Sequence, residues 1–326
     1  MLDLERLRRI KLSREPLGQR IVANLLLLPD YTFPRRTEIV LEGAHNLPSE
    51  GPTFLAMNHT DRYNYWPLQY RLYREGLGFT ATWVKGKYYE NAFIARFMEA
   101  TNNIPLPSRG YVITTEFRKQ HQRLPEQHEY RVLRDLVDGA RGDDAAELPE
   151  GKSAAVRALV GDNVRAFLAR FDALFAAMID EVIALNRQAA CELGLYVLVF
   201  PEGTRQKRIG QGHAGLAQMT QHLGATIVPI GCNGSDRLYP GNSPLSKGGR
   251  VLYRIGEPLR VDGPELAPHR VPEHVKPLSA ESARYEPQYR AITDVVMARI
   301  AELVDDEYKP RTGVASDATQ GSARFV

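Results

Sequence analysis

The chain has 326 residues, 43% of them hydrophobic and 25% charged, with a formal net charge of +3. That length can bury a substantial core, in one large domain or two modest ones, and the balance excludes a disordered chain and a global positive field for nucleic acid. Two cysteines, Cys191 and Cys232, exclude a disulfide framework, and no Cys/His cluster has zinc spacing, so no metal is expected and a reducing, cytoplasmic setting is the default.

Residues 1–36 form a basic and apolar N-terminal helical segment. Arg6, Arg8, Arg9, Lys11, Arg14 and Arg20 face Asp3, Glu5 and Glu15, and an apolar run follows over 21–29, stopped by Pro29. The run is well short of the ~18 apolar residues that suggest a membrane span, and it lies too far in for a signal peptide. A basic stretch before an apolar helix suits either packing on the domain or lying on an anionic membrane surface. Strands are expected over 37–41, 53–57 and 80–84 and helices over 65–73 and 92–100, the latter with Phe93, Phe97 and Ile94 turned inward. Ile104-Pro105-Leu106-Pro107 is extended, because each Pro biases its predecessor away from helix.

Residues 111–194 differ in character. A polar stretch contains a loop at 141–144, and Val160, Val164, Phe167, Phe171, Leu174, Met178, Val182 and Leu185 then recur in steps of three and four, as in one long amphipathic helix or two broken ones. Such a face is more often core than membrane anchor. Strands return over 195–200, 226–230 and 250–255, with a helix over 218–223. Pro and charge dominate 261–287, a final helix covers 291–305, and a tail from 309 reads as disordered. Alternating strands and helices predict an α/β sheet.

Two motifs carry chemistry. Asn58-His59-Thr60-Asp61-Arg62-Tyr63-Asn64 follows the second strand, and Phe200-Pro201-Glu202-Gly203-Thr204-Arg205 follows the apolar run at 195–200. A neutral His at a strand end can take a proton from a hydroxyl near pH 7, best when a second group fixes its tautomer. In the second motif Gly203 permits a tight turn, Arg205 can bind phosphate bidentately, and Glu202 can accept hydrogen bonds. Each motif alone has a bland reading, a structural His or a strand-to-loop turn.

Together they resemble the glycerolipid acyltransferase superfamily (PlsC-like, 1-acylglycerol-3-phosphate acyltransferases). Weaker blocks follow in the same order: Lys85 in Val84-Lys85-Gly86-Lys87, Arg109 closing 104–109, 227–230 and 256–259. The resemblance covers residues 39–259 except 111–194. It implies a mixed central sheet flanked by helices, with an acyltransferase domain over 37–262, a helical insertion over 111–194, a C-terminal extension over 263–308 and a tail over 309–326. It further implies His59 as general base, Asn64 as its partner, Glu202 in the catalytic constellation, and Arg109, Gly203, Thr204, Arg205 and Lys85 binding substrate. The donor would be acyl-CoA or acyl carrier protein, with no cofactor, and the acceptor a lysophospholipid or glycerol phosphate. The setting would be the inner face of the membrane, with peripheral attachment.

The main departure is Asn64, where the family carries Asp. An amide can orient the ring but cannot stabilise an imidazolium as a carboxylate does, and Asp61 offers either a shifted partner or a helix cap. The alternative is therefore a non-catalytic lipid- or acyl-thioester-binding relative, in which Asn64→Asp would raise turnover from near zero. A serine hydrolase is disfavoured because no Gly-x-Ser-x-Gly elbow occurs, and a nucleotide-binding protein because no phosphate-binding Gly-Lys loop does.

Overall fold

A computed structural model describes residues 1–139 and 153–310, so the loop expected at 141–144 and the tail from 311 lie outside the described residues. The chain divides into two compact units. The larger comprises Leu12–Trp83, Ala100–Asn102 and Asn186–Val326, and the smaller Met1–Lys11, Val84–Glu99 and Asn103–Leu185.

The strands are β1 (Thr37–Glu42), β2 (Thr53–Met57), β3 (Thr80–Lys85), β4 (Asn103–Leu106), β5 (Tyr196–Val199), β6 (Thr226–Asn233) and β7 (Gly249–Ile255). They form a seven-stranded sheet whose order begins β1-β7-β6-β2-β5-β3. β4 is the seventh strand, and its residues fall in the smaller unit. β6 and β7 run antiparallel, while β1 with β7, β6 with β2, β2 with β5 and β5 with β3 run parallel. The fold is thus α/β with a mixed central sheet, as expected. β2 lies between two neighbours, and Phe54, Leu55, Ala56 and Met57 are wholly buried. A strand covered on both faces reads as a continuous apolar run, which is why it was legible without alternation.

Helices of the larger unit include Trp66–Arg74, Gly215–Leu223 and Glu286–Leu303. The first buries Leu68 and Leu72 as their spacing requires. The last starts earlier than the expected 291, because Pro287 sits in its first turn, where a missing N–H costs nothing. Near the N-terminus, Leu17–Ile21, Val22–Leu27 and Leu28–Thr32 run on as one helical stretch. Pro29 does not stop it. The middle segment is a wide π turn in which the Leu28 N–H reaches the Ala23 carbonyl, and Pro29 lies in the first turn of the final segment. No helix among the described residues is long and apolar enough to cross a membrane.

In the smaller unit the 160–185 periodicity resolves into Ala154–Val160 and the start of Val164–Arg187, separated at Gly161. Val160, Val164, Phe167, Phe171, Met178, Val182 and Leu185 are buried and Leu174 is half-buried, so this face is core. The helix Ala92–Ala100 forms where expected but buries Ala95 and Met98, while Phe93 and Ile94 are exposed. The expected inward face thus differs from the observed one: Phe97 is half-buried, and the small Ala95 takes the buried position.

Candidate active site

β2 and β5 are parallel neighbours in the register Phe54↔Val197, Leu55↔Leu198, Ala56↔Val199. Both therefore end at the same edge of the sheet, and the two motifs leave it side by side. In open α/β sheets this carboxyl edge is where ligands gather.

Three contacts join the motifs. The His59 main-chain N–H donates to Glu202 Oε2 at 2.9 Å, the Gln206 N–H donates to the His59 carbonyl at 2.9 Å, and the His59 ring stacks on Phe200 with centroids 3.9 Å apart and planes at 17°. The other Glu202 oxygen, Oε1, accepts from Gln206 Nε2 at 2.8 Å and from the Gly210 N–H at 2.9 Å. Burial pushes the Glu202 carboxyl above the ordinary 4.5 although all three hydrogen bonds pull it down. Glu202 is nearly inaccessible, so it works by binding the His59 loop to the 206–210 loop.

His59 itself is half-buried. Its Nδ1 lies 3.2 Å from Asn64 Oδ1, and Asn64 Nδ2 donates to the Asn58 carbonyl at 2.8 Å. The structure thus brings Asn64 within reach of the ring. Asn58 is fixed in turn, because its amide spans the Cys232 main chain on β6, donating to the carbonyl at 3.0 Å and accepting from the N–H at 2.7 Å. Tyr253 on β7 donates its hydroxyl to the Asn64 carbonyl at 2.6 Å. Asp61 does not cap the helix that follows. Its Oδ1 accepts from the Tyr63 N–H at 2.8 Å and its Oδ2 from the Thr60 hydroxyl at 3.0 Å, closing the turn. The helix that follows has Tyr65 at its N-cap and no side-chain cap. Burial raises the Asp61 carboxyl above its ordinary 3.8.

In the second motif Gly203 has φ of 62°, and a Cβ there would come within 3.0 Å of the His213 ring, so the turn demands glycine. Thr204 is half-buried, its hydroxyl 3.5 Å from the Glu202 carbonyl. Arg205 is exposed and makes no ion pair with a described residue. Lys85 and Arg109 belong to the smaller unit. Lys85 is exposed at the end of β3. Arg109 Nη2 donates to the Val137 carbonyl at 2.9 Å and to Asp172 at 2.7 Å, and its guanidinium lies over the Phe171 and Phe175 rings at 5.2 and 5.4 Å. In that unit Arg109 ties the inserted helices together. Among the described residues no group of three or more His, Cys, Asp or Glu side chains could hold a metal ion.

Sequence reasoning missed Asn58, Gln206, Gly210 and Tyr253. Asn58 adjoins His59 in the first motif and could have been weighed for that reason. Tyr253 acts across the fold and carries no local signal, while Gln206 and Gly210 lie just past the second motif, four and eight residues from the Glu202 carboxylate they meet.

The family model described as Acyltransferase matches residues 173–233. The match runs through β5, the Phe200–Arg205 turn and β6, and the resemblance to the acyltransferase superfamily holds there. A solved structure of the 1-acyl-sn-glycerophosphate (LPA) acyltransferase PlsC from Thermotoga maritima is similar at 15% identity, over 92% of this chain and 79% of that one, with a TM-score of 0.40. No curated protein matches the chain.

Proposed function

We propose that this chain, acyltransferase-like over residues 173–233, moves a fatty acyl group from a thioester to the free hydroxyl of a lysophospholipid or glycerol phosphate. The observation that carries the reading is the His59–Asn64 pair, held at 3.2 Å beside the Glu202–Arg205 turn. With Nδ1 turned to the Asn64 oxygen, the lone pair of the neutral ring is on Nε2. In this reading Nε2 removes the acceptor's hydroxyl proton. The oxygen attacks the thioester carbonyl carbon, the tetrahedral intermediate collapses, and the C–S bond breaks. The thiolate leaves and takes up the proton, so no acyl-enzyme forms. Arg205, exposed and unpaired among the described residues, meets the acceptor's anionic headgroup, and Gly203 lets the backbone approach it. Holding hydroxyl and base together supplies several kcal/mol of the barrier.

The donor in this proposal is acyl-CoA or acyl carrier protein. The lipid acceptor places the enzyme on the inner face of a membrane. An exposed apolar stripe, Leu17, Ile21 and Leu25 with Phe33 beyond, supports that placement, as do the exposed Arg14, Arg20 and Arg36 around it.

The test is transfer of radiolabelled acyl-CoA into a panel of lysolipids by the wild type and His59→Ala. The expected result is label in one lysolipid, with the rate reduced at least about 100-fold in the variant. Absence of transfer from both acyl-CoA and acyl carrier protein would favour the binding-only alternative.

A further inference from the structure

The side chain of Asn64 is wholly buried and has two unlike neighbours. One end meets the Asn58 main-chain carbonyl at 2.8 Å and the other meets His59 Nδ1 at 3.2 Å. A carbonyl oxygen only accepts, so the Asn58 side must be the amide's NH2. The oxygen then faces the ring, and a donor must stand opposite it, so the neutral imidazole carries its proton on Nδ1. None of these groups is free to turn away. The Asn58 side chain is bound at both ends to the Cys232 main chain, and the Asn64 carbonyl accepts from Tyr253.

A carboxylate has no donor. At position 64 one oxygen would suit the Nδ1–H, but the other would face the Asn58 carbonyl oxygen at hydrogen-bonding distance, with lone pair against lone pair. The titratable groups around the pair are Asp61 on the same loop, Glu202 from the turn after β5, Cys232 on β6 and Tyr253 on β7. Burial raises the pKa of all four, so the surroundings already disfavour anions.

We propose that Asn64 is a positioning residue in a site built for an amide: it holds His59 as the neutral Nδ1–H tautomer, and aspartate there weakens the site instead of restoring it. The proposal rests on His59 being the base, but its geometry can be tested without turnover. In Asn64→Asp the ionised carboxylate has to be desolvated beside a carbonyl. Its folded pKa is then raised above the ordinary value near 3.9. The protonated acid can donate to Asn58 as the amide does. Stability is therefore kept below the unfolded pKa and lost as pH rises through the folded one.

The experiment pairs 15N NMR of the His59 ring in the wild type with melts and transfer assays of Asn64→Asp between pH 4 and 9. The expected results are a protonated Nδ1 in the neutral wild-type ring and a variant that melts close to wild type at pH 4 and falls progressively behind by pH 8. Its transfer at pH 8 should be at least about tenfold slower. A wild-type ring protonated on Nε2 overturns the proposal, as does a variant equal to wild type in melting at pH 8 or faster in transfer. Where no acceptor is found, the ring and melting measurements still decide the role of Asn64, while the proposed reaction fails on its own.

Discussion

Glu202 takes main-chain N–H groups from His59 and Gly210 and an amide N–H from Gln206. Its carboxyl is nonetheless raised above 4.5 by burial. A raised folded pKa means that the stability this group contributes is full below the unfolded value and is lost as pH rises through the folded one. Glu202→Gln removes that dependence but also loses at least one acceptor, because an amide nitrogen turns toward a donor. We expect the variant to be less stable by about 1–3 kcal/mol at pH 5, with the gap narrowing toward pH 8, as urea titrations at the two pH values would measure. The proposed transfer should fall as the His59 loop shifts. A gap that widens with pH would mean that Glu202 serves the fold chiefly as an anion.

At the scale of elements, the smaller unit shows how the inserted helices are joined. Glu129 accepts from both terminal nitrogens of Arg123, from the Ser153 hydroxyl and from the Glu126 N–H, closing a capping box on Gln127–Val137. The Arg123 hydrogen bonds, chiefly, hold its carboxyl down to about 2. A depressed pKa contributes stability that is present above the unfolded value and lost as pH falls through the folded one. Glu129→Gln should therefore melt lower than wild type at pH 7 and converge on it as pH falls from about 4.5 toward 2, a window set by the ordinary and folded values. Equal offsets at both ends of that window would reduce Glu129 to a packing residue. Arg109 shows why element-level reading of a cation is ambiguous. Its place in 104–109 resembles a phosphate contact, while its bonds to Val137 and Asp172 give it a structural task that only folding reveals.

For the whole molecule, the exposed stripe in the larger unit bears on the proposed membrane contact. Leu17 and Leu25 are 65% and 74% exposed, and Phe33 is 81% exposed. Full transfer of one such side chain into an apolar phase is worth about 1.5–3 kcal/mol. The double variant Leu17→Ser/Leu25→Ser should sediment with phosphatidylglycerol vesicles at least about tenfold more weakly than wild type, since 1.4 kcal/mol is a factor of ten. Unchanged sedimentation would remove the stripe from the membrane-contact reading. By itself the sequence determined most of the strands and helices, because a buried strand such as Thr53–Met57 and an amphipathic helix such as Trp66–Arg74 write their burial into local periodicity. It also marked both motifs, since His59 and the Glu202–Arg205 turn need particular residue types at fixed spacing. Only the tertiary structure decided that these motifs meet, for 143 residues separate His59 from Glu202 and the parallel pairing of β2 with β5 brings them to one edge. It alone decided that Phe93 faces outward, that Asp61 closes a turn, and that the Asn64 side chain lies between the Asn58 carbonyl and the His59 ring. Those outcomes depend on partners distant in sequence, such as Cys232 and Tyr253, which hydrogen bonding can select only once the sheet has placed them.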